Sequence, residues 1–124
     1  MKALLKNYRQ SPRKVRLVAD VIRGKNVSKA LTSLTFLEKK AAAPIRRLIE
    51  SAVANAERQG MKKDELKISH IQVDQGFSFT KYRPRARGQA SPIRKRTSRI
   101  ALALSKVTEG TTQTRKRAKK AKRS

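Results

Sequence analysis

Residues 80–99 read Thr80-Lys81-Tyr82-Arg83-Pro84-Arg85-Ala86-Arg87-Gly88-Gln89-Ala90-Ser91-Pro92-Ile93-Arg94-Lys95-Arg96-Thr97-Ser98-Arg99. Eight of these twenty residues are Lys or Arg, none is acidic, and only Tyr82, Ala86, Ala90 and Ile93 are apolar. Such a segment cannot bury enough surface to offset its own ordering entropy. It is therefore either a disordered basic loop or a segment ordered by a partner. The flanks favour the second option. Ile71, Val73, Phe77 and Phe79 fall on one parity before it, with Gly76 where a bulge could re-aim the strand. After it Ile100, Leu102 and Leu104 share one face, with Ala101, Ala103 and Val107 on the other. Two good strands bounding a cationic segment predict an extended antiparallel hairpin over about 75–100, with Gly88 near the turn. Alternation places Arg83, Arg85 and Arg87 on one side, and Arg94 and Arg96 together on the return arm, with Lys95, Thr97 and Arg99 opposite. Arms of ten to fifteen residues would project roughly 30–50 Å.

Upstream, the apolar period is helical. Ser11-Pro12 marks a start, because Ser can cap free backbone N–H groups and Pro tolerates the first helical position. Val15, Val18, Ala19 and Ile22 make one face of this helix, and Gly24 ends it. Val27, Ala30, Leu31 and Leu34 predict a second, shorter helix with Asn26 as its cap. A third, about 40–59, carries Ile45, Leu48, Ile49, Ala52, Val53 and Ala56 as its stripe, Pro44 in or near its first turn and Gly60 at its end. Residues 1–9 read as a short edge strand. The expected architecture is α+β, with three helices packed on a small antiparallel sheet. One domain would span 1–109, followed by a basic disordered tail over 110–124.

Charge bounds the function. The 124 residues hold 33 Lys plus Arg against 8 Asp plus Glu, a formal net charge of +25. Residues 1–74 contain 17 basic and 7 acidic side chains, residues 75–108 contain 9 basic and no acidic ones, and residues 109–124 contain 7 and 1. The excess sits where a core is least feasible, so the expected partner is a polyanion, with nucleic acid the first candidate. In the tail, Arg115, Lys116, Arg117, Lys119 and Lys120 fit phosphate binding by counterion release, the alternative being a solubilising role. The chain has no Cys, which excludes disulfides and thiolate chemistry. No membrane span or signal-peptide core is expected. His70 is the only histidine, so no second imidazole or thiol exists to build a metal site with it. Glu50 and Glu57 share a helix face but are more simply charge partners of Arg46, Arg47 and Arg58. No phosphate loop or nucleophile elbow is present, so neither an enzyme nor a cofactor is expected.

Three strings carry a resemblance. The run from Ser11 to Lys25, SPRKVRLVADVIRGK, is similar to the first helix of the large-subunit ribosomal protein twenty-two family. Ser51-Ala52-Val53-Ala54-Asn55-Ala56-Glu57 resembles its third helix. Tyr82 to Ala90, with Ile93 and Lys95 to Ile100, resembles its hairpin and return strand. The likeness runs from about residue 3 to 107. It implies a structural, non-enzymatic component of the bacterial-type large ribosomal subunit that binds 23S-type rRNA and supports early subunit assembly. Its hairpin would line the nascent-peptide exit tunnel near the region where macrolides bind. Neighbouring ribosomal proteins and the nascent peptide are the further implied partners. The implied rRNA contacts are Arg9, Arg13, Lys14, Arg16, Arg23, Lys25, Lys81, Tyr82, Arg83, Arg85, Arg87, Arg94, Lys95, Arg96 and Arg99, with Gly88, Gln89, Ala90 and Ser91 as the tunnel-wall tip. Two positions depart from the family pattern: Arg99, where His is usual, and Gln89, where Arg is frequent and whose amide makes the tip less cationic. With the family core beginning almost at Met1, a bacterial cytoplasmic ribosome is the expected home. The rival readings are a nucleoid-type DNA-binding protein and a nuclease.

Overall fold

The computed structural model describes residues 1–107. The tail cations Arg115, Lys116, Arg117, Lys119 and Lys120 lie outside the described residues. Strand β1 (Lys2–Tyr8) is followed by three helices, α1 (Pro12–Ile22), α2 (Val27–Thr35) and α3 (Ala42–Glu57). A short 3₁₀ turn, Lys63–Glu65, leads into strand β2 (Leu66–Pro84), and strand β3 (Ala90–Lys106) returns beside it. The sheet is antiparallel with order β1-β3-β2, so the last of its strands in sequence is the central one.

Each helix forms where the apolar spacing predicts it. Val15, Val18, Ala19 and Ile22 of α1 are buried, as are Val27, Ala30 and Leu34 of α2 and all six predicted stripe residues of α3. Pro44 occupies the third position of α3, where its missing N–H breaks no helical bond. Gly24 and Gly60 take left-handed φ values of 73° and 78° just beyond α1 and α3. The caps differ from expectation. Ser11 and Asn26 occupy the N-cap positions, but neither side chain makes a capping bond. The Ser11 carbonyl accepts from the Lys14 and Val15 amides, and the Asn26 carbonyl accepts the ordinary first helical bond from the Ala30 amide.

The helices cover one face of the sheet. Ile100, Leu102 and Leu104 of β3 point into the core with Leu66, Ile68, Ile71 and Val73 of β2. Their parity is kept by irregularities rather than by strict alternation. One register shift between Ile68 and His70 moves the buried set of β2 from even to odd numbers. Another, between Leu5 and Tyr8 of β1, coincides with Asn7 at φ 55° and turns Tyr8 back toward the core. Asn tolerates that conformation better than most residues.

A third irregularity corrects the sequence reading of β2. Gln75 pairs with Ser98 and Ser78 with Arg96, so Gly76 and Phe77 together oppose Thr97. The extra residue reverses the phase, and Phe77 is 73% exposed instead of continuing the face of Ile71 and Val73. A Cβ on Gly76 would lie 2.7 Å from Thr97 Oγ1, and the buried Thr97 hydroxyl donates to the Phe77 carbonyl. Thr97 cannot yield without losing that bond. We expect Gly76→Ala to destabilise the fold by about 1–3 kcal/mol, measured by urea unfolding, through this clash, whereas Gly60→Ala meets no atom and would carry only the cost of its left-handed φ.

Beyond the bulge the two arms pair regularly from Ser78 with Arg96 to Pro84 with Ala90. The ten residues from Gln75 to Pro84, at about 3.3 Å each, extend roughly 30 Å. No core residue lies between Asp74 and Arg96. Replacing Lys81–Ile93 by Asn-Gly, between the paired Thr80 and Arg94, should therefore leave the helical circular dichroism signal intact and change stability by less than about 1 kcal/mol.

Candidate nucleic-acid interface

The ladder settles which hairpin side chains share a face, because paired residues in antiparallel strands point the same way. Phe79 and Lys95, Lys81 and Ile93, and Arg83 and Ser91 lie on one face. Ser78 and Arg96, Thr80 and Arg94, and Tyr82 and Pro92 lie on the other. Both faces thus carry cations, and Tyr82 stands 72% exposed among them. Arg85 is extended and its amide donates to the Gln89 carbonyl at 2.7 Å, closing the turn. Arg83, Arg85 and Arg87 do not form the single row expected from alternation. The strand ends at Pro84, and Arg87 and Gly88 take left-handed φ values of 59° and 68°. For Arg87 that conformation costs roughly 1 kcal/mol or more, held in place by the closed turn. Gly88, Gln89, Ala90 and Ser91 follow it at the tip.

At the other end of the hairpin, β1 leaves the sheet after Tyr8 while β3 runs on, and a cleft of about 620 Å³ opens along the vacated edge. Its walls bring together Arg9, Lys14, Lys81, Arg94, Lys95 and Arg96, residues far apart in sequence. Lys40 also lines it, a cation the sequence reading missed. The only signal for Lys40 was a basic pair, Lys39-Lys40, before a helix, and nothing local places that loop beside the hairpin. Tyr8 links the two, its one hydroxyl proton shared between Gln10 Oε1 at 2.9 Å and, more weakly, the Lys40 carbonyl at 3.3 Å. Partial burial pushes the Tyr8 phenol above its ordinary pKa, so it stays a neutral donor throughout the physiological range.

The remaining predicted residues are dispersed. Arg13 borders a shallow groove with Ser11, Lys14 and Leu17. Lys25 borders another with Lys29, Thr32 and Phe36, whose ring is 81% exposed. Arg99 is on the sheet face away from the helices, paired in register with Asp74. Arg16 and Arg23 already have an internal task. Arg16 Nε and Nη2 donate to the Val73 carbonyl at 3.1 and 3.0 Å, and Arg23 Nη2 donates to the Ile71 carbonyl at 3.3 Å. These two side chains bolt α1 to the open edge of β2. His70 is exposed and within 3.3 Å of Gln72 Oε1. Among the described residues, only Arg23–Asp20 and Arg46–Glu50 form ion pairs, both at 3.2 Å and both well exposed. No three His, Asp or Glu of the described residues converge, and no described helix is long and apolar enough to cross a membrane.

An α+β body carrying a long hairpin cationic on both faces, with its charges left uncompensated internally, defines a class of small basic proteins built to meet anions from outside. The chain belongs to the ribosomal protein L22p/L17e family, whose model matches residues 3–105. It is 50% identical over 105 residues to a Bdellovibrio bacteriovorus protein described as large ribosomal subunit protein uL22, covering 84% of this chain and 96% of that one. A Desulforamulus reducens protein of the same description is 48% identical over 110 residues, covering 88% and 97%. Membership makes the chain a structural constituent of the large ribosomal subunit and not an enzyme.

Proposed function

We propose that the protein binds 23S-type rRNA of a bacterial, cytoplasmic large subunit through its hairpin and the adjoining cleft. The hairpin would line the nascent-peptide exit tunnel, and binding would support early subunit assembly. The observation that carries this reading is the distribution of charge on the projecting arms. Lys81, Arg83 and Lys95 occupy one face, Arg94 and Arg96 the other, and no carboxylate lies anywhere in the segment. A hairpin lying on a single surface needs cations on one side only. Cations on both sides suit a segment embedded in packed RNA, where guanidinium groups bind phosphates and stack on bases. Gly88, Gln89, Ala90 and Ser91 are small or uncharged, which suits a tip bordering a passage for the nascent peptide. Arg85 and Arg87 extend the contact to the hairpin tip, Arg9, Arg13, Lys14, Lys25 and Arg99 extend it around the body, and Arg16 and Arg23 keep free guanidinium donors beyond those bonded to β2.

Co-sedimentation through a high-salt gradient tests this reading. The expected result is retention on large-subunit rRNA at salt that strips the protein from arbitrary duplex DNA. Equal retention on both would instead favour a nucleoid-type DNA-binding protein.

A further inference from the structure

The backbone that carries Arg9 is anchored at both ends. Arg9 sits at the apex of a tight turn in which the Gln10 amide donates to the Tyr8 carbonyl at 2.8 Å. One end of that turn is tied by the Tyr8 hydroxyl to Gln10 Oε1 and the Lys40 carbonyl. The other end is tied by the buried Ser98, whose hydroxyl donates to the Gln10 carbonyl. The Arg9 guanidinium then lies over the Phe79 ring, 5.6 Å from its centroid. The result is a planar cation carried on an anchored turn and laid over an aromatic ring, at the mouth of a cleft also lined by Lys14, Lys40, Lys81, Arg94, Lys95 and Arg96.

A cleft built only for phosphates needs cations but no aromatic platform, and flexible lysines would serve without an anchored turn. The π surface of Phe79 and Arg9 matches a nucleobase, and the surrounding ammonium and guanidinium groups match the phosphates on either side of it. Paired bases in an A-form duplex are stacked inside the helix, leaving only phosphates and sugars at its surface, so a duplex cannot present a base face to a recessed platform. We propose that this cleft takes a single unstacked nucleotide, its base against the Arg9–Phe79 pair and its flanking phosphates on Lys14, Lys40 and Arg96. The proposal rests on the rRNA-binding reading and specifies the form of RNA that the hairpin base recognises.

The chain contains no tryptophan, so Phe79→Trp in the full chain places a single indole in the cleft. Its emission is followed on titration with a two-strand RNA duplex carrying one bulged nucleotide, the same fully paired duplex without the bulge, and inorganic polyphosphate. Quenching by the bulged RNA at roughly tenfold lower concentration than by the paired RNA, with none from polyphosphate, is the expected result. Arg9→Ala in that background should abolish the tenfold preference. Filter binding of the unlabelled chain against Phe79→Ala should show the same loss of preference for the bulge. Equal quenching by bulged and paired RNA, or quenching by polyphosphate, would mean a phosphate site only and overturn the proposal. Failure of the unsubstituted chain to be retained on large-subunit rRNA would instead count against the broader reading, so the two failures are distinct.

Discussion

Replacing Lys81, Arg83, Arg94, Lys95 and Arg96 together by glutamine should make the salt dependence of large-subunit rRNA binding shallower by about four in the slope of log K against log salt. Each phosphate contact contributes roughly 0.7–0.9 to that slope through counterion release. All five side chains are exposed, and none has an ion-pair partner among the described residues, so their removal takes nothing from the core. The unfolding midpoint in urea should move little, and the variant should express as a folded protein. Affinity near physiological salt should fall by roughly two orders of magnitude or more, because several contacts are lost at once. A single replacement at Arg13 or Lys25, on the body, should change the slope by at most about one. An unchanged slope in the fivefold variant would show that the hairpin does not meet phosphates.

The second large effect concerns the body. Ile49 is completely buried on α3, which packs against β1, β3 and α2. Ile49→Ala removes three carbons from a filled interior and should cost about 3 kcal/mol, from the lost transfer energy and the cavity left behind. For a domain of this size that lowers the thermal midpoint by roughly 15 °C. Leu17→Ala is the matched control, since Leu17 on α1 is 64% exposed and its truncation should stay within about 0.5 kcal/mol. Scanning calorimetry of the two variants separates burial from side-chain size. A midpoint for Ile49→Ala equal to that of Leu17→Ala would place the core elsewhere.

The helices were legible because their signal is local. Val15, Val18, Ala19 and Ile22 fall at the period of the helix itself, and Ile45 through Ala56 repeat it over about three turns. The strands were legible in their hydrophobic runs but not in their phase. An extra residue opposite Thr97 reverses every side chain that follows, and whether the chain inserts one depends on how Gly76 meets Thr97, a contact twenty-one residues apart. The same logic separates the correct reading of a cationic hairpin from the incorrect single row of Arg83, Arg85 and Arg87. Composition reveals the first, whereas the second depends on where pairing stops. Ser11 and Asn26 stand where caps belong, yet neither side chain turns to the free amides of its helix, a choice of rotamer that sequence does not record. The family resemblance implies Arg16 and Arg23 only as rRNA contacts, and nothing in their spacing announces a second, internal task. Their bonds to Val73 and Ile71 arise only when α1 is laid along β2. The cleft was the least legible part, since it joins a turn after β1, the loop before α3 and both arms of the hairpin, and Lys40 is linked to it by the Tyr8 hydroxyl.

The order β1-β3-β2 also governs when the molecule can close. Strands β1 and β2 pair with the same partner, and that partner begins only at Ala90. Until β3 has been synthesised and released, the two earlier strands have no common neighbour and the helices have no completed floor to settle on. A growing chain that has reached only the tip of the hairpin thus holds about three quarters of its aliphatic side chains but cannot enclose them. The fold is completed at one late moment, when Ile100, Leu102 and Leu104 slide between strands made long before them.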